Sequence, residues 1–159
     1  MTAPRLVELR DYSVRFGPMT AVAGVSFTLS AGQTLALVGE SGSGKSLTAL
    51  GIAGLTPPAA RLGGSLRIDG QEMLGAPEPA WRRLRGARIG MVFQEAMGSL
   101  NPAMRIGAQI AEAIAAHRAL PAGALRERVL AALAEVGLPD PPGKAAAFPH
   151  QLSAISSSG

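Results

Sequence analysis

The chain reads Gly39-Glu40-Ser41-Gly42-Ser43-Gly44-Lys45-Ser46 at the point that decides its fold. This stretch fits the pattern G-x-x-x-x-G-K-[ST] at every position. The chemistry needs these residue types. Glycines adopt backbone conformations that a side chain forbids, so successive N–H groups can curve around phosphate oxygens. A helix that follows directly turns its positive end towards the same anion. Lys45 supplies a point charge for β- and γ-phosphates, and the Ser46 hydroxyl is a hard oxygen ligand suited to Mg²⁺. Glu40, Ser41, Ser43 and Leu47 belong to the same loop and helix start, where their backbones matter more than their side chains. Residue usage agrees: two of the 15 basic residues are lysines, Lys45 and Lys144, and the rest are arginines. A chain that almost always uses Arg has a Lys where the pattern demands one.

Outward from the loop, Thr34–Val38 is apolar and predicts a short strand leading in. Ser46–Gly54 predicts a helix by its Leu47, Leu50 and Gly54 spacing, stopped by Thr56-Pro57-Pro58. Upstream, Leu6–Leu9 reads as a strand. Val25, Phe27 and Leu29 alternate with polar residues as in a half-buried strand, and Ala31-Gly32 is a turn. Downstream, Ser65–Ile68 and the turn Asp69-Gly70 suggest a hairpin, Trp81–Arg88 a short helix and Ile89–Phe93 another strand. From 106 to 137 the chain turns Ala-rich and helical. Ile106, Ile110 and Ile114 mark one helix, and Leu125, Val129, Leu133 and Val136 a second. Pro121 and Gly123 break between them, and Pro139, Pro141 and Pro142 end the second.

Composition removes several function classes. With 159 residues and 47% apolar content, the chain can bury a core, and 16% charged residues argue against disorder. The net charge of +4 is mild, and its one basic cluster is Arg82, Arg83, Arg85 and Arg88, so no nucleic-acid partner is expected. Cys is absent, which excludes disulfides, thiolate metal sites and a Cys nucleophile. No apolar run reaches the length of a membrane span, and Met1–Arg10 lacks the features of a signal peptide.

A phosphate loop alone indicates only a nucleotide. The segment Val92-Phe93-Gln94-Glu95-Ala96-Met97-Gly98-Ser99-Leu100-Asn101-Pro102 narrows it. It resembles the Q-loop of ATP-binding-cassette (ABC) ATPases, and its Ser-Leu-Asn-Pro ending is similar to the oligopeptide, dipeptide and nickel importer subfamily. Phe148-Pro149-His150-Gln151-Leu152-Ser153 looks like the lead-in to that family's Leu-Ser-Gly-Gly-Gln signature. Phe16-Gly17 stands where the family has its adenine-stacking aromatic. Order and spacing agree from about residue 5 to 153.

The resemblance implies an α/β fold, a P-loop NTPase of ABC ATPase type. Residues 1–96 would form the ATP-binding core, with an antiparallel N-terminal β-subdomain and a partial RecA-like part. Residues 97–153 would form the helical subdomain. It implies ATP and Mg²⁺ as ligands. Phe16 would stack on adenine, with Tyr12 the spare aromatic and a core role for Phe16 the alternative. Gly39, Glu40, Ser41, Gly42, Ser43, Gly44, Lys45, Ser46 and Leu47 would hold phosphates. Gln94 would reach Mg²⁺ and the attacking water, so Lys45 and Gln94 would carry catalysis and Ser46 and Gln94 the metal. Met97, Leu100 and Met104 either dock on a membrane subunit or pack in a core. Partners would be transmembrane permease subunits, a second ATPase subunit and, indirectly, a substrate-binding protein, with the chain peripheral on the cytoplasmic face of the inner membrane, or cytoplasmic if unassembled.

After Ser153 the family's Gly-Gly-Gln is replaced by Ala154-Ile155-Ser156-Ser157-Ser158-Gly159. The Walker B carboxylates, the general-base Glu and the switch His that the family uses are not in these residues. The C-terminal part of the core is then expected to be missing. Gln-Gln-Gln-Arg codons read one base late give Ser-Ser-Ser-Gly, the last residues of the chain. The expectation is a frameshift near codons 153–155 and an aberrant tail over 154–159; a genuine short product or a sequence cut at an edge are the alternatives. Such a chain would bind nucleotide weakly, without turnover, and be prone to aggregate through an open strand edge. The rival readings are a non-catalytic nucleotide-binding or docking module that regulates a transporter, and a small-molecule kinase.

Overall fold

The computed structural model describes residues 3–93 and 100–152. The chain divides into two compact units, Met1–Ile89 and Gly90–Gly159. The first unit holds strands β1 (Arg5–Phe16) and β2 (Met19–Ser30), helix α1 (Lys45–Ile52), strands β3 (Arg61–Ile68) and β4 (Gln71–Glu72), and helix α2 (Glu78–Leu84). The strands form one antiparallel sheet in the order β2-β1-β3-β4.

β1 is longer than the predicted Leu6–Leu9, and the reason is a bulge. Alternation breaks at Arg10-Asp11, where Asp11 takes a left-handed φ of +47° and its N–H donates to Ser26 Oγ at 2.8 Å. The pairing with β2 slips there. One extra residue restores the inward face, so Leu9, Tyr12 and Val14 all enter the same core although their spacing is not strictly even. The half-buried alternation of Val25, Phe27 and Leu29 in β2 is as predicted. The hairpin at Asp69-Gly70 also forms. Both turn residues have positive φ, +49° and +79°, as a tight two-residue hairpin requires.

Leu66, Ile68, Met73, Val22, Ala80 and Trp81 complete the buried core of this unit, with Leu47 and Ile52 of α1 packed against it. The short helix predicted over Trp81–Arg88 starts earlier and ends at Leu84. Its N-terminus is set by Pro79 in the first turn. Arg85 then leaves the helix and ties α1 down. Its guanidinium donates to Ala53 O at 2.8 Å and Gly54 O at 2.5 Å, carbonyls just past the helix end, while pairing with Glu78 at 2.7 Å. Arg88 pairs with Asp69 at 2.7 Å.

Two predicted strands do not form among the described residues. Thr34–Val38 and Ile89–Phe93 carry no strand ladder; Ile89 makes a single bridge to Arg85. Leu35, Leu37 and Val38 are exposed, Val38 at 89%, as is Val92 at 94%. An extended apolar segment becomes a strand only when a neighbour takes up its backbone N–H and C=O groups. Among the described residues, none does so for Thr34–Val38 or for residues 90–93; Ile89 alone is engaged, its N–H donating to Leu84 O and its C=O accepting from Gly86 N, both at 2.9 Å.

The second unit contains α3 (Ile106–Ala115), α4 (Ala122–Glu135), α5 (Pro141–Ala146) and a 3₁₀ turn at Pro149–Gln151. Its core is Ile106, Val129 and Leu133, with Ile110, Ile114, Leu138 and Leu152 against it. The helical prediction holds, with two corrections. Gly123 lies inside α4, and the break belongs to the residues ending in the N-cap Pro121. Val136 caps the end of α4 and is 71% exposed, so it does not extend the apolar face.

Candidate functional site

The loop 39–46 is closed by its own atoms. Lys45 Nζ donates to Gly39 O at 2.8 Å, to Glu40 O at 2.6 Å and to Ser43 Oγ at 3.2 Å. Ser43 N donates to Glu40 O at 3.2 Å. The ammonium is thereby fixed inside the ring of the loop rather than left on a free stem.

Gly44 is the N-cap of α1, with φ +87°, and among the described residues no side chain caps the helix. The first-turn N–H groups of α1 are therefore left without a side-chain acceptor, and the helix has no acidic residue in its first turn. Gly44 O accepts from Thr48 N at 2.9 Å and from Thr48 Oγ1 at 3.0 Å, which starts the helix. Thr48 is buried, so this start is anchored in the unit's interior. Gly44 is demanded twice over. Its φ disfavours a side chain, and a Cβ would lie 2.7 Å from both Ala21 O and Val22 Cγ2 of β2. Gly42, φ +80°, is demanded by conformation alone, since nothing lies near the place of its Cβ.

Glu40, Ser41, Gly42, Ser43 and Ser46 are exposed, Lys45 and Gly44 half-buried, and Leu47 is partly buried against the core. The residues present fit a polyphosphate: an uncapped helix start, a fixed ammonium and an open Ser46 hydroxyl of the kind that holds Mg²⁺.

Phe16 ends β1 opposite Met19, across the Gly17-Pro18 turn. It is half-buried, packed on the core with part of its surface open. Tyr12, the spare aromatic, is fully buried and offers no face to a ligand. Its hydroxyl has no hydrogen-bond partner among the described residues and lies over α1, where a Cβ on Gly51 would stand 2.0 Å from it. Burial raises the Tyr12 pKa above its ordinary value.

Gln94 and Met97 lie outside the described residues, as do Ser153 and the tail 154–159. Leu100 and Met104 are half-buried in the second unit. Gln109 was not singled out in the sequence, yet it organises this stretch. Its side chain accepts from Asn101 N at 2.9 Å and donates to Asn101 O and Met104 O, both at 3.0 Å. Its one sequence signal is a polar residue among the apolar positions of α3. His117 is exposed, and His150 stacks on Phe148 with ring centres 5.9 Å apart. No group of residues suited to hold a metal through His, Cys, Asp or Glu occurs among the described residues. No helix among them is long and apolar enough to cross a membrane.

Comparison with known proteins gives a consistent picture. The family model described as ABC transporter matches residues 22–155. The chain is 44% identical over 153 residues to an oligopeptide transport ATP-binding protein of Mycobacterium tuberculosis, covering 93% of this chain and 25% of that protein. It is 39% identical over 155 residues to an oligopeptide transport ATP-binding protein of Escherichia coli, covering 95% and 46%. It is 40% identical over 153 residues to a dipeptide transport ATP-binding protein of Haemophilus influenzae, covering 93% and 46%. The chain thus spans less than half the length of these relatives. Among solved structures, a bacterial ABC transporter cassette described as dimeric superposes with a TM-score of 0.77 at 24% identity, over 92% of this chain and 62% of that one. At that identity the likeness concerns the fold.

Proposed function

The chain belongs to the ABC transporter family, and on that premise we propose that it holds ATP through its phosphate loop as part of an importer's ATP-binding subunit, of the peptide or nickel type. The observation that carries this reading is the Lys45 ammonium, fixed by Gly39 O, Glu40 O and Ser43 Oγ at the uncapped start of α1. Those contacts hold a positive charge and a set of free N–H donors at one place, before any ligand has to be organised. The names of the peptide-transport relatives support the subfamily.

In this reading the loop from Gly39 to Ser46, with Leu47, binds the phosphates; Lys45 neutralises charge on the β- and γ-groups; Ser46 and Gln94 hold Mg²⁺; and the open part of Phe16 stacks on adenine. Mg²⁺ supplies charge neutralisation for phosphoryl transfer. Residues 1–96 form the ATP-binding core, 97–153 the helical subdomain and 154–159 an aberrant tail. The whole protein would couple ATP binding and hydrolysis to uptake, working with permease subunits, a second ATPase subunit and a substrate-binding protein at the cytoplasmic face of the inner membrane. For these 159 residues alone we propose binding without turnover. The family's general base is not among the residues the resemblance matches.

The test is a titration of the full chain with the Mg²⁺ complex of a non-hydrolysable ATP analogue, against wild type and Lys45→Ala. Saturable binding that Lys45→Ala weakens supports the site. Equal affinity in the two proteins rejects it.

A further inference from the structure

Helix α1 carries Lys45 and Ser46 at its start, yet it is only 8 residues long. A helix of about two turns is marginal on its own and depends on what holds it. Its start is held by Thr48. Its far end is a Schellman turn: Gly54 N donates to Gly51 O at 3.0 Å, Leu55 N donates to Leu50 O at 2.8 Å, and Gly54 takes a φ of +64°. A Cβ on Gly54 would run into the indole of Trp81, so the turn rests directly on that ring.

The Schellman bonds leave the carbonyls of Ala53 and Gly54 over, and Arg85 takes both. Its Nε donates to Ala53 O at 2.8 Å and its Nη2 to Gly54 O at 2.5 Å. Nη1 and Nη2 also reach the two carboxylate oxygens of Glu78, at 2.7 and 3.3 Å. The guanidinium carbon stands 5.8 Å from the centre of the Trp81 ring. All three guanidinium nitrogens are thus committed at the helix end. The Arg85 side chain is 24% exposed, against 57% for Arg88 in its pair with Asp69. Water therefore competes less for these bonds than for an open surface pair. A lysine would bring one nitrogen where the planar fork brings three. The lever is short: α1 is about 12 Å long, so a pivot of about 5° at one end moves the other by about 1 Å. Hydrogen bonds keep their strength over roughly half an ångström, so such a pivot would spoil contacts to phosphate.

We propose that Arg85 is a positioning residue for the nucleotide site: by holding the end of α1 against Trp81, it fixes where Lys45, Ser46 and the first-turn N–H groups point. This rests on the nucleotide reading of the loop, and Arg85 acts through the helix, since none of its hydrogen bonds goes to residues 39–46. The test measures the affinity of the full chain for the Mg²⁺ complex of a non-hydrolysable ATP analogue, below the melting temperature of every variant used. Arg85→Gln should weaken binding roughly tenfold, a size typical of residues that act on a site without touching it. Arg85→Lys should recover part of that loss. Glu78→Gln leaves both carbonyl bonds in place and should cost less than Arg85→Gln. Arg88→Gln is the control: it breaks the pair with Asp69, away from α1, and should leave affinity unchanged even where it lowers the melt. A merely structural role for Arg85 predicts the opposite pattern, a lowered melt with unchanged affinity. Should Arg85→Gln fail to fold, Arg85→Lys decides: weaker binding than wild type supports the proposal and equal binding overturns it. Wild-type binding that the folded Arg85 variants leave unchanged, or that Arg88→Gln weakens as much, overturns the role of Arg85 alone. No binding by the wild type rejects the nucleotide reading and this role with it.

Discussion

Residues 34–38 and 39–46 are consecutive, yet the first segment lies exposed and without ladder bonds while the second is closed by its own hydrogen bonds. Both carry a clear sequence signal. The loop is satisfied by partners within a few residues: Lys45 reaches back to Gly39 and Glu40, and Gly44 O takes Thr48. The apolar segment needs a neighbour far away in sequence. Local closure and distant pairing are different demands, and in these residues only the first is met.

The contrast can be broken most strongly at Gly44. Gly44→Ala places a Cβ against Ala21 O and Val22 Cγ2 at a positive φ. It should cost roughly 2–4 kcal/mol and abolish nucleotide binding. Gly42→Ala, with open space around it, should cost only about 1–2 kcal/mol. Thermal melts of both variants check this; equal losses would mean that contact with β2 does not anchor the loop. Next comes Lys45→Ala. Losing one charge-assisted contact should weaken ATP-analogue binding roughly 10- to 150-fold while leaving the melt nearly unchanged.

Tyr12→Phe tests the packing under α1. It removes a buried hydroxyl that has no partner among the described residues, so stability should stay equal or rise by up to about 1 kcal/mol. The same variant fixes a pH effect. The folded-state pKa of Tyr12 is raised, so its contribution is intact below the ordinary tyrosine value of about 10 and is lost as pH rises above it. Denaturation at alkaline pH should show a Tyr12-dependent loss that the Phe variant lacks. The smallest effect belongs to the other side of the comparison. Val38→Asp changes a residue that is 89% exposed and should shift stability by no more than about 0.5 kcal/mol. A large loss would show that the segment is covered after all.

The same distinction explains what could be read from the sequence. The helix behind the glycine-rich loop, the Asp69-Gly70 hairpin and the paired helices of the second unit rest on local patterns, and all are found. The ABC-type α/β fold was also legible, through motifs in order. The full length of β1 was not, because the Asp11 bulge interrupts the alternation that marks a strand. Nor was Arg85 as the tie at the end of α1, since its partners Ala53 and Gly54 are backbone carbonyls 32 and 31 residues away. Tyr12 reads as a spare ligand contact in the sequence, because an aromatic near a strand reads alike whether it faces in or out. Its burial depends on β3 and α1 arriving from later in the chain.

Hydrogen exchange across residues 34–48, with and without the Mg²⁺ complex of a non-hydrolysable ATP analogue, tests this account most directly. The account predicts that the amides of Gly42 to Leu47 gain protection when the analogue binds, while those of Leu35 to Val38 exchange fast in both states. Protection of Leu35 to Val38 already in the free chain, or no gain at Gly42 to Leu47 under saturating analogue, would contradict it.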